Sequence, residues 1–210
     1  MRGGIKLLWC ARGVGGVMSA REYTIFDTGV GRCGIAWSRA GVIGVQLPLA
    51  REIETRKRLF QLYPEAREVR PPPNVEIAID GIVALLRGES ADLCDVALDM
   101  SGVQPFNQRV YTFARSIPHG ETVTYGDIAS KLRVSGAVRS VTQALARNPF
   151  VIIVPCHRVL EAGGYADNIS GNAGAISKRR LLSIEGGRRA TSSKTLFEVL
   201  LPVAPVRPQG

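Results

Sequence analysis

A cysteine, a histidine and an arginine follow one another directly after a proline, at Cys156, His157 and Arg158. A thiolate is a strong nucleophile, and positive charge beside a thiol stabilises that form. The competing interpretation is a structural cysteine, because unpaired cysteines are among the most buried residues of proteins. The two basic neighbours favour a nucleophile at Cys156.

The residues before this triplet predict how the thiol is positioned. Residues 151–154 are Val-Ile-Ile-Val, and an unbroken β-branched run is typical of a short strand buried on both faces. Pro155 lacks an amide hydrogen and ends ladder pairing. We therefore expect Cys156 to lie where a buried strand becomes a loop, with His157 on the opposite face. A cysteine hydrolase, whose histidine must reach the sulphur directly, fits this arrangement poorly.

Two short helices joined by a tight turn precede that strand. Thr124 and Asp127 have the spacing of a capping box, which predicts a helix over 125–132. Residues 133–136 form the connection, and a second helix is predicted over 137–147, where Asn148-Pro149 ends it. This pattern is a helix-turn-helix.

The second of these helices combines an apolar face with a face that suits nucleic acid. Val138, Val141 and Leu145 are spaced by three and four residues, so we expect them to pack inward. The other faces carry small side chains and two longer polar ones, at Ala137, Ser140, Ala144, Arg139 and Gln143. Small side chains let a helix approach a nucleic-acid groove closely. An ordinary surface helix with a solvated arginine stays an alternative, because lone helix-turn-helix patterns are common.

The rest of the chain predicts an α/β first half and a second half made mainly of helices. A small antiparallel sheet is predicted from three strands, one that begins at residue 22 and two over 34–37 and 42–47. Two helices follow, over 49–63 and 75–86, and then a strand over 96–100. Further helices are predicted over 106–116 and 177–184, the latter with Lys178, Arg179 and Arg180 in solvent. We divide the chain into a disordered leader (1–21), an N-terminal α/β domain (22–103), a functional domain (104–188) and a tail (189–210).

Composition points to a polyanionic partner. The 210 residues include 27 basic and 18 acidic ones, a net charge of +9. Nucleic acid is favoured over membrane, because no apolar run approaches the ~20 residues that a membrane span needs. The four cysteines are widely scattered and accompany only two histidines. This spacing indicates neither a zinc cluster nor a disulfide scaffold, and it predicts a reducing compartment, the cytoplasm.

Taken together, the order of these motifs resembles the O6-alkylguanine-DNA alkyltransferase family. The resemblance is carried by Tyr125, Arg139, Asn148-Pro149, Pro155-Cys156-His157-Arg158-Val159, Ser170-Gly171 and Glu185-Gly186. It implies an α/β N-terminal domain and a mainly α C-terminal domain, winged-helix-like, in which a short buried strand leads to the active cysteine. It also implies a DNA repair methyltransferase that acts on duplex DNA as a monomer and reacts only once. Its substrate would be O6-methylguanine, and whether it also repairs O4-methylthymine stays open. No cofactor and no metal are expected.

The resemblance assigns roles to individual residues. Cys156 would accept the alkyl group, His157 would contact it through a water, Glu185 would orient the histidine, and Asn148 would tie the helix end to the active-site strand. The helix-turn-helix would dock in the minor groove, where Arg139 fills the space left by an extruded base. Three further residues would contact DNA: Ala137, Ser140 and Gln143. The substrate pocket would be lined by Tyr125, Val159, Ile169 and Ser170.

Two positions depart from the family pattern. Ile169 stands where an aromatic residue is usual, and stacking contributes ~1 to 3 kcal/mol to holding a base. Thr142 stands where glycine is usual in the helix that meets DNA. These departures leave one alternative from another class, a non-catalytic module that binds alkylated DNA.

Overall fold

The computed structural model describes residues 21–134, 136–163 and 176–186. The predicted leader up to residue 20, the predicted tail and the pocket positions Ile169 and Ser170 lie outside the described residues. The chain forms the following elements: β1 Glu22–Thr28, β2 Gly31–Ser38, β3 Gly41–Gln46, α1 Glu52–Leu62, β4 Arg67–Glu68, α2 Pro73–Leu86, α3 Pro105–Arg115, β5 Val123–Thr124, α4 Tyr125–Lys131, α5 Val138–Ala146, β6 Val159–Leu160 and α6 Lys178–Ile184.

The N-terminal half is the predicted small sheet with helices. Strands β1, β2 and β3 are antiparallel, and the two-residue strand β4 adds to β1 in parallel, giving the order β3-β2-β1-β4. Residues 96–100, predicted as a strand, contribute only an isolated bridge from Leu98 to Val42. The backbone amide of Val42 donates to Ala97 O (2.9 Å), and the Asp99 amide donates to Val42 O (2.8 Å). This segment therefore covers the outer edge of β3.

The C-terminal half is mainly helical, as predicted. The capping box is present: the Asp127 amide donates to Thr124 Oγ1 (3.0 Å) and the Thr124 amide donates to Asp127 Oδ2 (2.8 Å). Helices α4 and α5 form the predicted helix-turn-helix, and the parallel strand pair β5-β6 joins α4 to the segment that follows Cys156. None of the described helices is long and apolar enough to cross a membrane.

The two halves share one hydrophobic core. Buried side chains from the sheet, from α2 and from α3 to α5 form a single cluster that also includes residues 150–154. The backbone of β3 contacts the start of that segment directly, because the Val45 amide donates to Pro149 O (2.8 Å) and Val45 bridges Phe150. The N-terminal sheet thus supports the segment that carries the cysteine.

Candidate active site

The segment before the cysteine is buried as predicted, but it is not a strand. The Val154 amide donates to Phe150 O (2.7 Å), Val151 bridges Val154, and Ile152 has a positive φ of 74°. The chain therefore closes a tight turn here, and the predicted buried strand is wrong. A β-branched run reports that the side chains are apolar; it does not decide between an extended and a folded backbone when every face is buried.

Cys156 begins a short 3₁₀ helix, Cys156–Arg158, rather than an extended loop. Its amide donates to Val154 O (2.8 Å), and the residue is only 3% exposed. A 3₁₀ helix has three residues per turn, so neighbouring side chains diverge by roughly 120°. His157 and Arg158 are buried as well, on separate sides of the turn from the thiol.

His157 and Arg158 converge on one buried carboxylate, Glu185, which lies at the C-terminal cap of α6. His157 Nε2 is 2.8 Å from Glu185 Oε1. Arg158 donates from Nε to Oε2 (2.9 Å) and from Nη2 to Oε1 (2.9 Å), and its Nη1 donates to Ile117 O (2.7 Å). The predicted pairing of His157 with Glu185 is present in the geometry. Arg158, which the sequence suggested only as nearby charge, holds the carboxylate in a two-bond clamp.

These contacts determine the protonation of the site. Burial by itself would raise the pKa of Glu185, but the hydrogen bonds from His157 and Arg158 outweigh it and lower the pKa to about 2. Burial lowers the pKa of His157, and the charge of Glu185 only partly opposes that shift. The imidazole is therefore neutral at pH 7, with its proton on Nε2, where the carboxylate accepts it. Its Nδ1 carries the lone pair, and no described residue hydrogen-bonds to it.

Lys178 lies inside the site, so its predicted exposure is wrong. The residue is 2% exposed; its Nζ donates to Tyr125 Oη (2.9 Å) and to Val159 O, and lies 5.1 Å from the centre of the Tyr125 ring. Burial lowers the pKa of Lys178, while the negative charge of a Cys156 thiolate raises it. A sequence signal existed: Lys178 precedes Glu185 by two helical turns and shares its buried face.

Asn148 connects the end of α5 to the turn before the cysteine. Its Nδ2 donates to Val154 O (2.9 Å), and its Oδ1 accepts the Phe150 amide (2.9 Å). The buried amide thus closes both ends of the turn 150–154, in the position predicted for it.

Two of the residues predicted to line the substrate pocket, Tyr125 and Val159, fall within the described part of the chain. Tyr125 opens α4, and burial followed by the charge of Cys156 raises its pKa to about 12. Val159 is fully buried in β6 and offers its carbonyl to Lys178. Tyr125 and Val159 thus share the buried ammonium of Lys178, and their assignment to the substrate pocket stays a prediction.

Of the five positions predicted to lie on the outer faces of α5, three are exposed, and Ala144, at 2%, is buried together with Ala137. Arg139, Ser140 and Gln143 are exposed, and Val141 and Leu145 are buried. Val138 is 46% exposed and does not pack inward, whereas Ala137, at 6%, is buried. The prediction that Ala137 presents its side chain to DNA is therefore wrong, because this residue caps the helix against the core.

Thr142 lies half-buried between these faces of α5, and its hydroxyl donates to Val138 O (3.0 Å) within the helix. The hydroxyl is thereby satisfied inside the helix, and the side chain adds bulk where a glycine would leave none.

The described residues contain no group of three or more His, Cys, Asp or Glu side chains placed to hold a metal. The ionisable groups that the site brings together are the thiol of Cys156, the imidazole of His157, the carboxylate of Glu185 and the ammonium of Lys178. In such a set the thiol of Cys156 would be the nucleophile, the neutral imidazole of His157 its base, and the buried ammonium of Lys178 a cation that favours the thiolate.

Comparison with known proteins gives one consistent result. The model of a family described as the DNA-binding domain of 6-O-methylguanine DNA methyltransferase matches residues 105–187. A methylated-DNA–protein-cysteine methyltransferase of Mycobacterium bovis is 41% identical over 121 residues, 58% of this chain and 70% of that protein. One from Methanothermobacter thermautotrophicus is 34% identical over 153 residues, 73% of this chain and 78% of that protein. The solved structure of Mycobacterium tuberculosis OGT in complex with DNA is similar with a TM-score of 0.62 and 32% identity, covering 78% of this chain and 92% of that one.

Proposed function

The chain belongs to the methylated-DNA–protein-cysteine methyltransferase family, and from that premise we propose that Cys156 is the residue that accepts the alkyl group. Its function is DNA repair by transfer of an alkyl group to a cysteine. The observation that carries the assignment is the buried relay of Arg158, Glu185 and His157 beside the thiol. A protein that only binds DNA has no chemical need for such a relay.

The reaction begins with removal of the thiol proton. His157 Nδ1 accepts it through a water, and the resulting imidazolium is stabilised by Glu185 at the opposite nitrogen. The buried ammonium of Lys178 favours the thiolate, because opposite charges attract strongly where water is excluded.

The thiolate sulphur then attacks the methyl carbon on O6 of guanine. A carbon–sulphur bond forms while the carbon–oxygen bond breaks, and the electron pair leaves with the base, which takes up a proton and becomes ordinary guanine. The product on Cys156 is a thioether, which offers no easily displaced leaving group. Each molecule therefore acts once.

The methyl carbon on O6 lies at the major-groove edge of a stacked base pair, so the nucleotide must be extruded before that carbon can meet, in line, a thiol that is 3% exposed. The exposed face of α5 lies against the DNA, with Ser140 and Gln143 next to the backbone and Arg139 filling the space left by the base. The extruded base enters between Tyr125 and Val159. The family resemblance assigns Ile169 and Ser170, which lie outside the described residues, to the same pocket. The partner is duplex DNA carrying alkylated guanine, and one molecule of the protein acts on one lesion.

The decisive test is intact-mass and peptide-mass analysis after incubation with a duplex that carries one O6-methylguanine. We expect one methyl group, located on the peptide that contains Cys156. Cys94 has an exposed thiol and is distant from Cys156 in the sequence. Cys94→Ala is therefore a matched control, and this variant should still take up the methyl group. Cys156→Ala should bind the duplex and stay unmodified. If the native protein binds the duplex and its mass does not change, it is a non-catalytic lesion-binding module instead.

A further inference from the structure

Tyr111 connects the DNA-facing helix to the turn that carries the thiol. It lies on α3 and is 1% exposed. Its hydroxyl donates to Ala144 O (2.9 Å) in the last turn of α5, and its ring meets Phe150 edge-on, with 6.0 Å between centroids and 81° between planes. One rigid side chain therefore contacts the end of α5 and the first residue of the turn 150–154.

Phe150 is the point from which that turn is built. Its carbonyl accepts the Val154 amide (2.7 Å), its amide donates to Asn148 Oδ1 (2.9 Å), and Val45 of β3 bridges it. Since Cys156 donates its amide to Val154 O (2.8 Å), a shift of Phe150 moves the sulphur. Aromatic pairs of this edge-to-face kind prefer a fixed ring separation, so the Tyr111 ring opposes such a shift.

The hydroxyl of Tyr111 remains a donor throughout the reaction. Burial raises the pKa of Tyr111 to about 12, and the negative charge of Cys156 acts in the same direction. The hydroxyl is thus committed to Ala144 O as a neutral donor, rather than acting on the thiol as an acid or base.

We propose that Tyr111 is a positioning residue that fixes the spacing between α5 and the Cys156 sulphur, and that transfer from duplex DNA depends on it whereas transfer from the free base does not. This inference rests on the proposed function. A lesion in DNA is held by its backbone against α5, so the methyl carbon arrives at a place that α5 dictates. A free base enters the same pocket unattached and settles against the thiol wherever the thiol lies.

The magnitude follows from the demands of an in-line displacement. A misplacement of ~1 Å between reacting groups costs up to about a hundredfold in rate. Loss of one hydroxyl, with the ring kept, allows a smaller shift. We expect Tyr111→Phe to slow transfer from duplex DNA about tenfold, which corresponds to ~1.4 kcal/mol in the barrier.

The experiment compares single-turnover rate constants of Tyr111→Phe and the native protein on two substrates, a duplex with one O6-methylguanine and the free base O6-methylguanine. The expected result is a duplex rate about tenfold lower, with the free-base rate and the dissociation constant for the duplex both unchanged. Tyr63→Phe is the matched control. Its hydroxyl also donates to a backbone carbonyl, Ile43 O (3.1 Å), but it joins α1 to β3 and does not reach α5.

Equal slowing on both substrates would overturn the proposal, because it would mean that Tyr111 supports the thiol site in general. An unchanged duplex rate would overturn it as well, and so would equal changes in Tyr63→Phe. Tyr111→Leu, which also removes the contact with Phe150, should widen the gap between the substrates. Failure of the proposed function is distinguished by the native protein, which would then take up no methyl group from either substrate.

Discussion

Arg158 and Glu185 meet through two parallel hydrogen bonds in the interior of the protein, Nε to Oε2 and Nη2 to Oε1, each 2.9 Å long. The third donor, Nη1, is bound to Ile117 O at the end of α3. Glu185 is consequently held in one orientation, and its Oε1 is presented to His157 Nε2. The position of the base behind the thiol depends on this clamp.

Arg158→Met should destabilise the fold strongly. It leaves the buried Glu185 carboxylate without its main counter-charge, which costs ~3 to 5 kcal/mol in the free energy of unfolding. Urea denaturation measures this loss. Arg51→Met removes an exposed arginine from its pair with Glu54 and should cost less than about 1 kcal/mol. The double variant Arg158→Met, Glu185→Leu should recover most of the loss, and a double variant no more stable than Arg158→Met would contradict the clamp.

Lys178→Met should separate stability from rate. The described residues place no carboxylate within salt-bridge distance of this buried ammonium. A methionine of similar length removes a desolvated charge, which offsets the loss of the hydrogen bonds to Tyr125 Oη and Val159 O, so the melting temperature should change little. Single-turnover transfer should slow by about tenfold or more, because the thiolate loses the stabilising charge of this buried ammonium. Arg179→Met changes the exposed neighbouring residue and serves as the control. An unchanged rate in Lys178→Met would show that the lysine does not assist the thiolate.

Acid should weaken the fold in two steps. His157 has a lowered pKa in the folded protein, so its contribution is complete above its unfolded pKa of ~6.5 and is lost as the pH falls below that value. The pKa of Glu185 is also lowered, to about 2, so its contribution is present above ~4.3 and is lost as the pH falls toward 2. Urea titrations between pH 8 and pH 5 should therefore show the free energy of unfolding falling below about pH 6.5.

The variant His157→Gln tests the first of these steps. In this variant the free energy of unfolding should fall less steeply between pH 6.5 and pH 5. The reason is that the native imidazole takes up a proton in the unfolded chain but stays neutral in the folded one, and glutamine does neither. A decline of the same steepness in this variant would assign the acid sensitivity to other groups.

Much of the fold follows from local signals. The capping box at Thr124 and Asp127 and the polar turns between strands are decided by a few adjacent residues, so their sequence predicts them. Residues 151–154 have the sequence pattern of a strand but form a turn, because a β-branched run indicates burial and leaves the backbone conformation open. The bridge from Val45 to Phe150 decides that conformation, and it joins positions far apart in the chain.

The site residues that belong to sequence motifs could be predicted. A residue that is buried although its type is usually exposed could not. The residues around Cys156 indicate a nucleophile by themselves, whereas the roles of His157, Asn148 and Glu185 come from the resemblance, and their geometry is consistent with it. Lys178 was predicted to be solvated because lysines are mostly exposed. Its spacing from Glu185 places it on the buried face of α6, and its hydrogen bond to Tyr125 Oη shows that it belongs to the site.

Arg139→Ala should impair repair of duplex DNA more than repair of single strands. In a duplex the extruded base leaves a gap and a broken pair, and filling that gap offsets part of the cost, whereas a single strand has no such pair to break. Arg139 is exposed on α5, so its removal should leave the fold intact. The measurement is the ratio of single-turnover rate constants on the two forms of one oligonucleotide. Arg70→Ala, which removes a largely exposed arginine from the N-terminal half, should leave that ratio unchanged. If both variants lose only affinity, with a shallower dependence on salt, Arg139 acts as a phosphate contact and does not fill the gap.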